Sequence, residues 1–574
     1  MDIQMNKQQA DLFKDKLEQR IARIYPDQDL SSISQKIMDL IARWQGTSNK
    51  AQWIDETTCY LICYGDSIAC QDQPTLRGLK IFADRYLKGK ISDIHILPMF
   101  PYTSDDGFSV LDYRKVDPIL GDWPDLNDLA EHFDLMYDCV INHISKSSDW
   151  FRGYLAGEEK YRNFFIQGDL SQDYSSVTRP RTHPLFTPFT KEDGEQVHLW
   201  TTFSEDQVDL NFSEPGVLLE SIDILLQYVA NGGRSIRLDA IGFIWKQLGT
   251  RCIHLPQAHE IIKLWRQIVD LVAPGTRLIT ETNVPHQENI SYFGAGDEAH
   301  MVYQFPLPPL TLHALLREDS SILSQWAREL SAEAMENLSL GRKTSYFNFL
   351  ASHDGIGMRP TEGILSDSER QFICHEAERK GGRVTYKSNG DGSQSPYELN
   401  INYLSALCEP TDSNQLKARK FLAAQSILLS LIGVPAIYYH SLLGSSNDRQ
   451  GMLESGINRR INREKLKLEP LEQELDSSGS LRQLVFSQFA TLLELRKGQA
   501  AFSPMAAQQV LELGDKLFAL RRGNGADTIT YILNISSDKQ PVALAKPGFD
   551  LVSQSRFTQD FELEPYQFVW LKEV

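Results

Sequence analysis

What this 574-residue sequence lacks narrows it first. No apolar run approaches the roughly 18 residues that suggest a membrane span. The opening stretch, MDIQMNKQQADLFKDKLEQRIARIYP, is charged throughout and has no apolar segment of the signal-peptide kind. The seven cysteines, at 59, 63, 70, 139, 252, 374 and 408, form no C-x-x-C pair. An odd number scattered over a long chain predicts reduced thiols and a cytoplasmic setting. Basic residues are in deficit, 58 against 76 acidic, for a formal charge of −18. That balance speaks against nucleic acid or an anionic membrane as partner. There is no G-x-x-x-x-G-K-[ST] loop, and the GAG at 294–296 lacks the further glycine of a dinucleotide fingerprint.

What is present has the texture of a large soluble protein, 41% hydrophobic and 23% charged. Apolar residues recur at helical spacing over a region we bound at 1–55, as Leu12, Leu17, Ile21 and Ile24, then Ile33, Ile37, Leu40, Ile41 and Trp44. Packing against the main domain is the plainest use of such helices. Short apolar runs then alternate with amphipathic helical stretches: CYLICY (59–64), DIHILPMF (93–100), LMYDCVIN (135–142), SIRLDAIGF (235–243), RLITETN (277–283), SYFNFLASHD (345–354) and GVPAIYYH (433–440). Strand and helix in repeated alternation predict a parallel α/β fold, and the number of repeats suits a (β/α)8 TIM barrel over 56–500. Two segments break the rhythm, near 145–212 and 356–405. Both follow predicted strands, where the active-site loops of such barrels grow into inserted subdomains. Short β runs fill 501–574 and predict a small C-terminal all-β sandwich domain.

Polar residues close several of the apolar runs. Asp138, Asn142 and His143 end one, Arg237 and Asp239 the next, then Glu281, then His353 with Asp354. Catalytic groups in a barrel come from the C-terminal ends of several strands. Three carboxylates, an arginine and two histidines suit retaining glycoside cleavage, which needs a nucleophilic carboxylate and a carboxyl group acting first as acid, then as base. The spacing of Arg237 and Asp239 places both on one face of a strand. A cation there favours the ionised form of a buried nucleophile.

In DCVINH, QVDLN (207–211), SIRLDA, ITETN and ASHD, taken in this order, the chain resembles the alpha-amylase superfamily of barrel glycosidases and transglycosidases. The resemblance implies that Asp239 is the nucleophile, Glu281 the acid/base and Asp354 a third carboxylate gripping sugar hydroxyls. It further implies that Arg237 supports Asp239 and that His143 and His353 hold the glucosyl ring. ILPMFPYTSDDGF (96–108), TRPR (178–181), SHDGIG (352–357) and GVPAIYYHSLLGSSND (433–448) are similar to the sucrose phosphorylase branch. There Asp105 and Phe108 would hold glucose, and Arg459 would meet both glucose and phosphate. Phe203 and Tyr397 join the expected substrate site. That branch carries no calcium, so no metal and no cofactor are expected despite Asn142.

The chain departs from sucrose phosphorylases at Phe243, Asn283 and Glu398, where they carry Tyr, His and Gln. These departures, with TETNVPH (280–286), YFGAGDEAHMVYQF (292–305) and SPYELN (395–400), resemble the glucosylglycerate phosphorylase subgroup. The implied reaction converts 2-O-α-glucosyl-D-glycerate and phosphate into α-glucose 1-phosphate and D-glycerate. Sucrose or glucosylglycerol phosphorolysis, or hydrolysis or transglucosylation with the same carboxylates, is the alternative. The implied partners are small molecules, with a homodimer as the possible assembly. Anionic glycerate and phosphate require cations, for which Arg179, Arg181 and Arg459 are the candidates. Glu398 is then anomalous, unless it pairs with an arginine or accepts from a hydroxyl.

Overall fold

Eight short runs close a sheet. A computed structural model describes residues 7–44, 53–389, 393–525, 527–543, 546–557 and 560–573. In it the runs are β1 (Tyr60–Cys63), β2 (Asp93–Ile96), β3 (Asp134–Cys139), β4 (Gly233–Leu238), β5 (Arg277–Thr280), β6 (Met301–Tyr303), β7 (Ser345–Asn348) and β8 (Val434–Tyr438). Neighbours in the chain are neighbours in the sheet, all parallel, and β8 returns to β1, so the barrel is closed. The strands are buried on both faces, as a parallel sheet ringed by helices requires. One strand has no counterpart among the predicted runs: β6, MVY, is only three residues long, too short for a β run to stand out between Ala299-His300 and Gln304-Phe305. The other strands also end earlier than their apolar runs. β4 stops at Leu238 because Ala240 turns into the left-handed region, with φ of 48°.

The helices α1 (Lys7–Ile24) and α2 (Leu30–Trp44) lie on the outside of the barrel, against the helices Pro256–Val272 and Pro215–Ala230. Leu17, Ile21, Ile33, Ile37 and Ile41 are buried in that seam. Arg20 lies 3.4 Å from Glu260, Trp44 donates to Asp223 at 2.9 Å, and the Tyr25 hydroxyl donates to the Phe212 carbonyl at 2.7 Å. Residues 1–6 and 45–52 of the predicted helical extension lie outside the described residues.

The excursion after β3 carries two antiparallel pairs, His143–Ser145 with Gln207–Asp209 and Phe186–Thr190 with Gln196–Trp200. After β7, the strands Ile356–Gly357, Gln394–Asn400 and Arg383–Ser388 form a small antiparallel sheet, in which residues 390–392 are outside the described ones. Both insertions stand over the C-terminal mouth of the barrel. Beyond the barrel, a six-stranded antiparallel sheet and the two-stranded sheet Gln540–Ala543/Asp560–Leu563 share a core that includes Leu517, Ile532, Val542, Leu563 and Val569.

Candidate active site

The register of the barrel builds the site. Arg237 on β4 lies opposite Asp138 on β3, so the two side chains meet inside the barrel and form a buried ion pair. His95 on β2 approaches the other oxygen of Asp138 at 2.7 Å. Burial works against the ionised Asp138, but Arg237 and His95 together hold it below the usual carboxylate range. Thus anchored, Arg237 donates from Nη1 to Asp239 Oδ1 at 2.6 Å and keeps Nη2 3.7 Å from Glu281 Oε2. Its guanidinium is packed between the rings of Phe108 and Tyr303, at 5.7 and 5.3 Å. The charged strand is thereby accounted for: Arg237 reaches three carboxylates from one buried position.

The three carboxyl groups at the mouth differ in electrostatic support. Burial raises Asp239 above the ordinary aspartate range, and Arg237 offsets only part of that rise. Burial together with the neighbouring Asp239 and Asp354 lifts Glu281 to about 7, although Arg237 and the amide of Ala240, which donates to Glu281 Oε2 at 3.0 Å, oppose it. Asp354 is only partly buried, and although its desolvation works the other way, Arg459, Arg237 and Arg463 bring it below the ordinary value. Arg237 bonds Asp239 directly and only approaches Glu281, so a proton shared by that pair resides on Glu281. One group poised near neutrality beside a carboxylate held by a cation is the division of labour that acid/base and nucleophile need.

Fourteen of the sixteen predicted site residues line one inner pocket of about 80 Å³: Asp105, Phe108, His143, Arg181, Phe203, Arg237, Asp239, Glu281, Asn283, His353, Asp354, Tyr397, Glu398 and Arg459. Phe108 stacks on His353 with centroids 4.8 Å apart and an interplanar angle of 5°, while His143 Nε2 lies 2.9 Å from the Phe108 carbonyl. The pocket opens into an outer cleft of about 670 Å³ that shares Asp105, Arg181, Phe203, Tyr397, Glu398 and Arg459.

Two of the sixteen are not on the pocket wall. Phe243 stands edge-on behind Phe203, at 5.5 Å and 83°. Arg179 turns back onto the carbonyl of His183 and lines neither cavity, because its loop folds over it. Arg181, two residues on, lies over the rings of Phe203 and Tyr397 at 5.8 and 5.2 Å and lines both cavities. Among the described residues no carboxylate forms an ion pair with it. Arg459 is placed differently from a free anion ligand. It grips Glu398 with two hydrogen bonds, at 3.0 and 2.7 Å, and stands 2.8 Å from Asp354. Two carboxylates already compensate its charge. Glu398 also accepts from the Gly355 amide at 2.8 Å, so its anomaly resolves into a buried, doubly held pair.

The sequence motifs leave some contributors unassigned. Arg463, fully buried, donates to the His353 carbonyl at 2.8 Å and to Asp106 at 2.6 Å, and lies 3.7 Å from Asp105. It fixes consecutive residues in left-handed backbone, Asp105 and Asp106, with φ of 54° and 49°. Its place four residues after Arg459 is the signal that could have found it. Gln207 and Phe305 also line the pocket, and Gln207 opens the QVDLN motif. At Asn142, Lys246 Nζ donates to Oδ1 at 3.0 Å and lies 2.6 Å from Asp209, so an ammonium neutralises that buried carboxylate.

Residues 79–366 match the alpha-amylase catalytic domain. The chain is 47% identical to a glucosylglycerate phosphorylase of Spirochaeta thermophila over 90% of its own length and 87% of that protein's. It is 44% identical to the glucosylglycerate phosphorylase of Escherichia coli, over 91% and 93% respectively. A sucrose phosphorylase of Streptococcus mutans stands further off, at 29% over 77% of this chain and 88% of that protein. The crystal structure of sucrose 6F-phosphate phosphorylase from Thermoanaerobacter thermosaccharolyticum superposes with a TM-score of 0.72 at 24% identity, over 83% of this chain and 94% of that one.

Proposed function

The chain belongs to the alpha-amylase family, grouped with the glucosylglycerate phosphorylases, and from that premise we propose that it converts 2-O-α-glucosyl-D-glycerate and phosphate reversibly into α-glucose 1-phosphate and D-glycerate. Asp239 attacks the anomeric carbon and the bond to the glycerate oxygen breaks as Glu281 protonates that oxygen. Phosphate then attacks the glucosyl-enzyme from the vacated side while Glu281 takes a proton from it, so two inversions give net retention. Asp354, held by Arg459, accepts from glucose hydroxyls, and Asp105, His143 and His353 surround the same ring.

The observation that carries the choice of an anionic acceptor is Arg181. It is a cation with no carboxylate ion-pair partner among the described residues, at the junction of the inner pocket and the outer cleft. Glycerate leaves before phosphate enters, so one guanidinium serves the carboxylate and the phosphate in turn. Asn283 and Tyr397 complete the acceptor wall, and Glu398 acts on it by fixing Arg459.

The test is phosphate release from α-glucose 1-phosphate with D-glycerate, glycerol, fructose and fructose 6-phosphate offered in parallel. Release with glycerate at a kcat/KM at least tenfold above the others is expected. Preference for fructose would move the protein to the sucrose phosphorylases, and free glucose with every acceptor would make it a hydrolase.

A further inference from the structure

Behind the pocket wall, one carboxylate in the segment after Glu281 collects side chains from the loops that follow the other two reactive carboxyl groups. Glu288 sits on the short helix His286–Ile290, seven residues after Glu281. Its Oε1 accepts from Arg251 at 3.1 Å. Its Oε2 lies 3.2 Å from His254 Nε2 and 3.9 Å from Arg359 Nη2. Arg251 and His254 belong to the loop that continues from Asp239, and Arg359 comes five residues after Asp354.

The cluster is tied directly to the reactive segments. The His254 amide donates to the Gly242 carbonyl at 3.0 Å, in the turn Ile241–Phe243 that follows Asp239 and Ala240. The Thr178 amide donates to the Arg251 carbonyl at 2.9 Å, which joins in the loop bearing Arg181. Cys252 and His254 both hold left-handed backbone, with φ of 50° and 57°, so this loop is kept in a costly conformation by its contacts. Tyr292, whose hydroxyl lies 2.6 Å from His254 Nδ1, completes the chain. Nδ1 makes the ring's hydrogen bond, with the Tyr292 hydroxyl; Nε2 and Glu288 Oε2 lie 3.2 Å apart but out of line for a hydrogen bond, so that contact is electrostatic and favours the proton on Nε2, facing the carboxylate. Burial drives His254 down to about 4, so the ring stays neutral at working pH, bonded to Tyr292 through Nδ1 and turning Nε2 towards Glu288.

We infer that Glu288, through Arg251, His254 and Arg359, is a positioning residue that holds the loops of Asp239, Glu281 and Asp354 in mutual register. None of the four lines the pocket, so the cluster acts through the carboxyl groups and not on substrate. The inference rests on the proposed roles of those three groups.

The experiment compares wild type with Glu288→Gln, Arg359→Gln, the double variant, His254→Gln and His254→Phe. Each is assayed with the acceptor that wild type uses best, and melting temperatures are recorded. The Glu288→Gln change should lower kcat tenfold or more while KM for the acceptor moves less than threefold. Arg359→Gln should lose about as much, and the double variant no more than the worse single, because both break one unit. His254→Gln, whose amide can donate and accept in the same places, should keep most of the activity that His254→Phe loses. Activity of Glu288→Gln within twofold of wild type, or losses that multiply in the double variant, would overturn the inference. If Glu288→Gln does not fold, the His254 pair decides: equal loss in both would equally refute it. Wild type that transfers glucose to an acceptor other than glycerate would count against the proposed substrate alone.

Discussion

At Glu281 the physical chemistry makes a two-sided prediction. Its folded value of about 7 lies above the ordinary glutamate value. Cleavage of glucosylglycerate needs the protonated form, so kcat/KM for that donor should fall tenfold per pH unit above about 7 in a pH–rate profile. Stability follows the opposite logic. A carboxyl group whose pKa is raised by folding favours the native state below its unfolded pKa, and that contribution disappears as pH rises through the folded pKa. Glu281→Gln should therefore melt above wild type at pH 8, with the gap closing near pH 4.5, a trade of stability for function. At Arg181 the loss should fall on anions. Charge-assisted hydrogen bonds contribute about 1.5–3 kcal/mol, so Arg181→Ala should raise KM for glycerate and for phosphate about 10- to 100-fold, leaving the rate of glucosylation of Asp239 at saturating donor far less affected in single-turnover assays. An unchanged glycerate KM would remove Arg181 from the acceptor site.

Between elements, the register of β3 against β4 does more than any single residue. A one-residue slip would turn Arg237 away from Asp138 and out of the barrel, since strand side chains alternate. Another seam joins α1 and α2 to the barrel helices. Ile21 is fully buried there, and removing a buried isoleucine side chain to alanine costs about 2–5 kcal/mol. Ile21→Ala should show that loss in denaturant unfolding of the full chain. A change below about 0.5 kcal/mol would mean that the helices are docked too loosely to count as core. Helical spacing makes this stripe legible in the sequence, except at Leu12, which is exposed; the pairing of the stripe with the amphipathic helices Pro215–Ala230 and Pro256–Val272 has no local sign.

Across the whole molecule, the junction of the barrel with the C-terminal domain holds two buried arginines that form no carboxylate ion pair among the described residues. Arg496 donates to the carbonyls of Leu429, Glu56 and Phe502, and Arg522 to those of Ser430, Ser503 and Ala507. Burial depresses both, to about 10 and about 9, so each guanidinium is held charged against a real desolvation cost chiefly by backbone acceptors, with Glu56 and Asp55 helping at Arg496. Arg522→Ala strands those carbonyls and should lower unfolding free energy by on the order of 3 kcal/mol, with a C-terminal transition separating from the main one in calorimetry. A single undisplaced transition would show that the interface does not depend on this lock.

The sequence by itself determined the barrel, since apolar runs alternating with amphipathic helices encode that layering locally. It also determined the three carboxyl groups, because they close predictable strands. β6 stayed hidden, since three residues carry no periodicity and only closure of the sheet defines them. The acceptor side was legible in residue type but not in role. Arg179 and Arg181 read alike two positions apart, and only the fold of their loop turns one onto a carbonyl and the other into the pocket. Arg459 reads as an anion ligand along the chain, but in the folded protein Glu398, 61 residues earlier, occupies it. Local pattern specifies where charges are placed along the chain. Which charge neutralises which depends on distances across loops, and those exist only once the tertiary structure has formed.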